Sequence, residues 1–272
     1  MELRSIIVSV DVTTPDSAAL RYAIDLAKTT SAELIGLAAD QPDLTFAGMD
    51  GGVAVDLYAM EQTEVETQLK RAEEAFRKLV PASIKSQWLA YVTTPTAALI
   101  DAAATADLIV TASKTTTTFQ EVQSTNLGEL VVASGRPVID VSHDATKARL
   151  DKVCIGWKDT REARHAVADA LPLLKRAKEI RAVTIDEGDY AAEKDSLDAL
   201  IAWFRNHDIA ASCEVITNPE GFVDVLESTA LSWNADLLVI GGYGHSRMRE
   251  WLFGGMTRRI LRNNSLNRFI SN

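Results

Sequence analysis

Residues 236–257 read DLLVIGGYGHSRMREWLFGGMT and lead from an apolar run through a glycine-rich loop into a helical pattern. The apolar run 236–240 is typical of a strand buried on both faces of a parallel sheet. After the loop, Leu252, Met256 and Ile260 fall on one face of a helix. A glycine loop between such a strand and a helix N-terminus can direct backbone N–H groups at an anion. The stretch therefore predicts an α/β fold with a phosphate-binding turn at a strand end.

The apolar segments of the first half recur in the second half. Residues 6–11 (IIVSVD) correspond to residues 153–158 (VCIGWK) at an offset of 147, and residues 106–110 correspond to residues 235–239 at an offset of 129. The smaller second offset places 18 extra residues in the first half. We assign them to a loop over residues 41–57 because this segment contains several glycines. Two copies of one fold explain both offsets.

Each copy alternates strand and helix patterns, which predicts βαβ units and a mostly parallel sheet covered by helices. The polar stretch 143–152 marks a boundary, so we predict domains over residues 1–144 and 151–272. One continuous sheet built through both halves would argue against this repeat. Predicted strands lie at residues 6–10, 33–38, 88–90, 107–111, 137–141, 182–185, 212–216 and 236–240, and predicted helices lie at residues 58–79, 191–206 and 219–233.

Composition excludes several classes of protein. The chain of 272 residues has a formal net charge of −10, which argues against a general nucleic-acid-binding surface. The sequence has neither a membrane-spanning apolar stretch nor a signal-peptide pattern, so we expect a cytoplasmic protein without membrane contacts. Cys154 and Cys213 lie in strand-like segments and are expected to be buried, unreactive thiols. The histidines show no metal-ligand spacing, so no metal site is expected.

The glycine loop has the spacing Gly, two residues, Gly, nine residues, Gly, at Gly241, Gly244 and Gly254. This spacing differs from the dinucleotide and P-loop fingerprints and resembles the G-x2-G-x9-G-[S/T] signature of the universal stress protein family. The tandem repeat, over nearly the whole chain, is also similar to the two-domain members of that family. The resemblance implies two doubly wound, flavodoxin-like α/β domains with five-stranded sheets, a stress-response role, and ATP held at the loop. Gly255 stands where the signature has Ser or Thr.

The resemblance divides the expected binding residues between the two halves. In the family, an Asp at the end of the first strand contacts the ribose; Asp11 matches it, whereas Lys158 stands there in the second half. Conversely, Ala112 and Thr115 replace the first two glycines of the first-half loop. Because side chains would block the approach of phosphate to the backbone, the first half is not expected to bind nucleotide by itself.

The second half therefore contains the predicted cofactor-binding residues. Its loop would present backbone N–H groups to phosphate, and the ammonium of Lys158 could reach the same charge. Alternatively, Lys158 faces solvent at a strand end, with Asp159 and Thr160 capping the next helix. The predicted residues are Gly241, Gly244, His245, Ser246, Gly254, Gly255 and Lys158.

Three functions are open on the sequence. The first is an adenine-nucleotide-binding stress protein, the second a nucleotide-free protein-interaction module, and the third a nucleotide hydrolase. We predict no enzymatic activity and no catalytic residues, because no G-x-S-x-G, H-E-x-x-H or Walker motif occurs. Asp107 and Asp236 precede buried strands, where roles in turns are commoner than acid–base roles.

The assembly of the chain is also open on the sequence. In the resembled family, domains pair through their last strands, and a homodimer is one possible arrangement. Residues 266–270 lack the Pro-Val pattern of residues 137–139, which argues against the usual edge pairing for the second copy. Protein partners are not identified by any motif.

Overall fold

The computed structural model describes residues 2–42, 51–112, 124–186, 188–217, 222–242 and 266–272, in which strands and helices alternate. The first half contains β1 (Ser5–Ser9), α1 (Ala18–Thr30), β2 (Glu33–Asp40), α2 (Gly51–Leu79), β3 (Ser86–Val92), α3 (Pro95–Ala102), β4 (Leu108–Thr111), α4 (Leu127–Ala133) and β5 (Val138–Asp140). The second half contains β6 (Lys152–Gly156), α5 (Arg161–Leu174), β7 (Glu179–Asp186), α6 (Tyr190–Asn206), β8 (Ser212–Thr217), α7 (Phe222–Ser232), β9 (Leu237–Gly241) and β10 (Asn267–Ser271).

These ten strands form one sheet in the order β3-β2-β1-β4-β5-β10-β9-β6-β7-β8. Neighbouring strands within each half are parallel, whereas β5 and β10 pair antiparallel at the centre. In each half the chain winds outward in one direction from the first strand and then returns to wind in the other. The predicted class, two tandem doubly wound α/β units with five strands each, is confirmed.

The continuous sheet corrects the expectation of two separate sheets, yet the repeat itself is supported. Ile6 pairs with Leu108 in the first half, and Val153 pairs with Leu237 in the second. These pairs reproduce the two offsets found in the sequence, and the strand order is the same in both halves. The sheet is continuous because the last strands of the two units pair edge to edge. The exact domain limits, residues 1–144 and 151–272, stay a prediction.

A buried arginine lies at the junction of the two halves. Arg268 on β10 is directly opposite Asp140 on β5, and its Nη1 is 3.4 Å from Asp140 Oδ2. Its Nε and Nη2 donate to Glu227 Oε1 on α7 at 2.8 and 2.6 Å. The side chains of Arg268 and Asp140 are 1% and 0% exposed. The prediction against edge pairing of residues 266–270 is therefore wrong: Arg268, which breaks their apolar pattern, contacts Asp140 across the junction and Glu227 within its own half.

The register makes this pairing specific to unlike strands. Val138 opposes Ile270 on one side of the central Ile139–Phe269 pair, and Asp140 opposes Arg268 on the other. If two copies of β10 paired in the same register, Arg268 would face Ile270. If two copies of β5 paired, Asp140 would face Val138. Either arrangement would place a buried charged group opposite an apolar side chain and lose the contact between Arg268 and Asp140, so the register favours β5 with β10.

The helices cover both faces of the sheet. Buried residues of α1, α2, α5 and α6 pack in one apolar cluster, and those of α3, α4 and α7 pack in the other. On α1, Leu20, Ala23 and Ala27 are buried, and Ile24 is partly buried against the same cluster. None of the helices in the described segments has the length and apolar character needed to cross a membrane. Because β5 and β10 run antiparallel, the carboxyl ends of the two parallel sets of strands lie at opposite edges of the sheet.

Helix α2 begins earlier than the sequence indicates. Residues 51–57, which we assigned to a loop, are its first two turns. Helix α2 has 29 residues and its counterpart α6 has 17, so much of the extra length of the first half is helix. Residues 43–50 lie outside the described residues.

Two aspartates hold equivalent strand starts in the two halves. Asp107 Oδ2 accepts hydrogen bonds from the backbone N–H groups of Arg4 and Ser5 at 2.9 Å. Asp236 Oδ2 accepts from the backbone N–H of Lys152 at 2.9 Å. These are the structural roles that the sequence favoured over acid–base roles.

The two cysteines differ in exposure. Cys154 on β6 is fully buried, and burial raises the pKa of its thiol to about 12. Cys213 on the edge strand β8 is half-buried. The expectation of a buried thiol is thus confirmed for Cys154 and wrong for Cys213, because an edge strand is covered less completely than a central one.

We predict that iodoacetamide at pH 8 alkylates Cys213 and leaves Cys154 unmodified in the native protein. The reason is that the Cys154 thiol is both inaccessible and almost entirely protonated at this pH. Peptide mass spectrometry would measure the modification, and guanidinium-unfolded protein, in which both thiols should react, is the control. Equal labelling of the two cysteines in the native state would contradict the prediction.

We predict that Arg268→Met lowers the free energy of unfolding by about 3–5 kcal/mol, because it leaves the carboxylates of Asp140 and Glu227 without this cation. Equilibrium unfolding in urea would measure the loss. Arg71→Met is the matched control, since the side chain of Arg71 is 69% exposed and should contribute little. Similar stabilities for the two variants would show that the buried contact contributes nothing specific.

Candidate functional site

The candidate site lies at the carboxyl ends of β6 and β9. These strands are parallel neighbours, with β7 and β10 on their outer sides. The chain therefore continues from β6 to its neighbour β7 on one side and from β9 to its neighbour β10 on the other, which is the strand order at which doubly wound sheets commonly bind ligands. Gly241 is the last residue of β9, and Lys158 follows β6 by two residues. The structure thus brings these two predicted residues to adjacent strand ends.

The other predicted residues of the glycine loop lie outside the described residues. They are Gly244, His245, Ser246, Gly254 and Gly255. The corresponding loop of the first half, residues 113–123, also lies outside them.

Gly241 lies directly against the first turn of α5. A Cβ added to Gly241 would be 2.5 Å from the backbone N of Ala163 and 2.6 Å from the backbone C of Glu162. A side chain at this position would collide with helix backbone, so glycine is required for packing. The connection from Lys158 to the N-cap Thr160 is short, and it brings the helix N-terminus to this strand end. The sequence did not indicate this packing role.

Gly242 lies where β9, β10 and the first half meet. Its N–H donates to Ser271 O at 2.6 Å. A Cβ at this position would be 2.8 Å from Cγ1 of Val131 on α4. The two glycines that begin the loop are therefore both in close contact with other elements.

Of the two residues predicted to cap α5, Thr160 caps its first turn and Asp159 does not. Thr160 Oγ1 accepts from the N–H of Ala163 at 3.3 Å. Asp159 instead accepts from Arg164 Nε at 2.6 Å. The helix N-terminus, with its positive dipole end, lies beside Gly241.

Lys158 turns toward α6. Its Nζ is 3.9 Å from Glu193 Oε1, and the two side chains are 29% and 14% exposed. Glu193 Oε2 in turn accepts from Thr184 Oγ1 on β7 at 3.1 Å. The alternative of a purely solvent-facing Lys158 is therefore wrong. Glu193 was not among the predicted residues, although a charged residue at an apolar stripe position of α6 is a signal that could have identified it.

In the first half, Asp11 holds the position of Lys158, and its carboxylate accepts hydrogen bonds from the turn that follows it. Asp11 Oδ1 accepts from Thr13 Oγ1 at 2.6 Å and from the N–H groups of Thr13 and Thr14 at 2.8 and 3.2 Å. These bonds hold the chain between β1 and α1. Ala112 stands at the end of β4, in the place of Gly241.

Comparisons with known proteins support the fold. No protein-family model and no curated protein sequence matches this chain. A crystal structure of a universal stress protein from Archaeoglobus fulgidus aligns with a TM-score of 0.70 at 18% identity, covering 100% of this chain and 97% of that one.

Two Pseudomonas aeruginosa structures also align over nearly the full length. A functionally unknown protein from strain PAO1 has a TM-score of 0.57 at 16% identity, covering 99% of this chain and 92% of that one. A candidate universal stress protein from strain UCBPP-PA14 has a TM-score of 0.56 at 18% identity, covering 99% and 93%. Over its whole length, the chain thus has the fold of a solved universal stress protein.

Proposed function

We propose that this protein is a cytoplasmic stress-response protein that binds an adenine nucleotide, ATP above all, in its second half. The observation that carries the proposal is that Gly241 and Lys158 lie at the adjacent carboxyl ends of β9 and β6. The phosphates would lie on the loop that begins at Gly241. Backbone N–H groups around His245, Ser246 and Gly255 would donate to them.

The electrostatics of the described residues suit an anion at this position. Lys158 supplies a positive charge beside these strand ends, and the N-terminus of α5 adds the positive end of its dipole. Both lie in a chain whose formal net charge is −10. The stress-response role rests on the family resemblance and on the shared fold.

The nucleotide-free interaction module is the second candidate function. It is favoured by one specific observation: the charge of Lys158 is already opposed by Glu193 at 3.9 Å. In the first half, Asp11 is likewise engaged by Thr13 and Thr14. No catalytic step is proposed for either function.

We predict that wild-type protein binds ATP in calorimetric titration and that Gly244→Val eliminates the binding heat. A β-branched side chain at Gly244 would block the approach of phosphate to the loop backbone. Thr115→Val is the matched control, because Thr115 holds the equivalent sequence position in the first half and valine has nearly the same shape. Gly241 is unsuitable for this test, since its substitution would disturb the packing of α5.

The outcomes of this titration separate the candidates. Residual ATP binding by Gly244→Val would place the site elsewhere, including the first half. No binding of ATP, ADP or AMP by the wild type at millimolar concentration would favour the nucleotide-free interaction module.

We predict that Lys158→Ala weakens ATP binding by no more than about tenfold. Contacts to charged groups contribute about 1.5–3 kcal/mol when buried, and the partial exposure of Lys158 reduces this value. Lys175→Ala, at the far end of α5, controls for the loss of one positive charge. A loss of a hundredfold or more would show that Lys158 is the main phosphate ligand.

A further inference from the structure

Lys158 and Thr184 lie near the carboxyl ends of β6 and β7. Both differ from the residues at the equivalent positions of the first half. Lys158 replaces Asp11 at the end of the first strand. In the next strand, Gly36 pairs with Val8 and Ala182 pairs with Ile155, so Thr184 stands in the place of Ala38.

The helix above these strands contributes the third difference. The buried stripe of α2 is Val65, Leu69, Ala72 and Phe76, and α6 repeats its spacing of four, three and four residues as Glu193, Leu197, Leu200 and Phe204. Glu193 therefore stands in the place of the buried Val65. Val65 and Ala38, two buried apolar residues of the first half, thus correspond to polar residues that are hydrogen-bonded to each other in the second.

The structure holds this cluster in place. Trp157 Nε1 donates to Ser196 Oγ at 2.9 Å, which fixes α6 to the end of β6. Ser196 is three residues after Glu193 and on the same helix face. Thr184 is 1% exposed and donates to Glu193 Oε2 at 3.1 Å. The carboxylate also lies in the first turn of α6, where the helix dipole favours a negative charge.

Glu193 retains capacity to accept further hydrogen bonds. The 3.9 Å between Lys158 Nζ and Glu193 Oε1 is an ion-pair distance, longer than a direct hydrogen bond. A carboxylate can accept about four hydrogen bonds, two at each oxygen. Lys158 can therefore stabilise the charge of Glu193 while its oxygens accept hydroxyl groups from a ligand.

We propose that Glu193 is the ribose-binding residue of the second half and accepts the nucleotide's 2′- and 3′-hydroxyl groups. It would supply a carboxylate from α6, because the end of β6 has Lys158 where the first half has Asp11. Strands β7 and β9 flank β6 and lie about 10 Å apart, so Glu193 above β7 and Gly241 at the end of β9 lie within the length of one nucleotide. This inference rests on the proposed function and names the group that recognises the ribose.

The test compares ATP with 2′,3′-dideoxy-ATP by calorimetry on the full-length protein. Both ligands have the same phosphates and base, so the ratio of their dissociation constants isolates the hydroxyl contacts. Wild-type protein should bind ATP at least about tenfold more tightly than the dideoxy analogue, the effect of a hydrogen bond to a charged group. Glu193→Gln and Glu193→Val, the latter installing the first-half residue, should reduce this ratio to below about threefold.

Glu179→Gln provides the matched control, because Glu179 is an exposed carboxylate at the opposite end of β7. It removes the same charge and should leave the ratio unchanged. ATP binding with a ratio near one in the wild type, or with an unchanged ratio in both Glu193 variants, would overturn this inference alone. Absence of any ATP binding by the wild type would overturn the proposed function and this inference together.

Discussion

The architecture of this molecule depends on the buried contact between Arg268 and Asp140. Two doubly wound units each end in an edge strand, and an unpaired edge exposes a row of backbone donors and acceptors. Pairing β5 with β10 satisfies both edges at once. The charged pair favours the unlike strand as partner, because in this register the guanidinium of Arg268, which is already held by Glu227 of its own half, also meets the Asp140 carboxylate instead of an apolar side chain. The continuous sheet and the opposed carboxyl ends follow from that register.

The sequence predicts the strands and their repeat well because both depend on local patterns. Buried parallel strands appear as apolar runs, and the same offsets recur in the observed pairs of Ile6 with Leu108 and Val153 with Leu237. The junction could not be predicted in this way. Arg268 breaks the apolar pattern of its strand, and its partner Asp140 lies 128 residues away. A buried charge can be recognised as a core residue only when its partner is known.

The candidate site was predicted only in part, because some of its residues follow from local sequence patterns and others depend on long-range packing. Glycine spacing identified Gly241, and alignment of the repeat identified Lys158, since both are properties of one segment. Glu193 was missed because its position near Lys158 depends on how α6 packs over β7. The glycine spacing also gives no sign of a second reason for glycine at position 241: the first turn of α5 occupies the space that a side chain would need. A glycine in a binding motif can thus be required by packing as well as by a ligand.

The intramolecular origin of the β5–β10 pairing has a consequence for the behaviour of the protein in solution. In the part of the chain that the structure describes, three residue pairs form this strand contact, and a short contact between separate subunits would be lost on dilution. Here both strands belong to one polypeptide, so their effective concentration is set by the connecting chain. The ten-stranded sheet therefore does not depend on the concentration of the protein and forms whenever the polypeptide is folded.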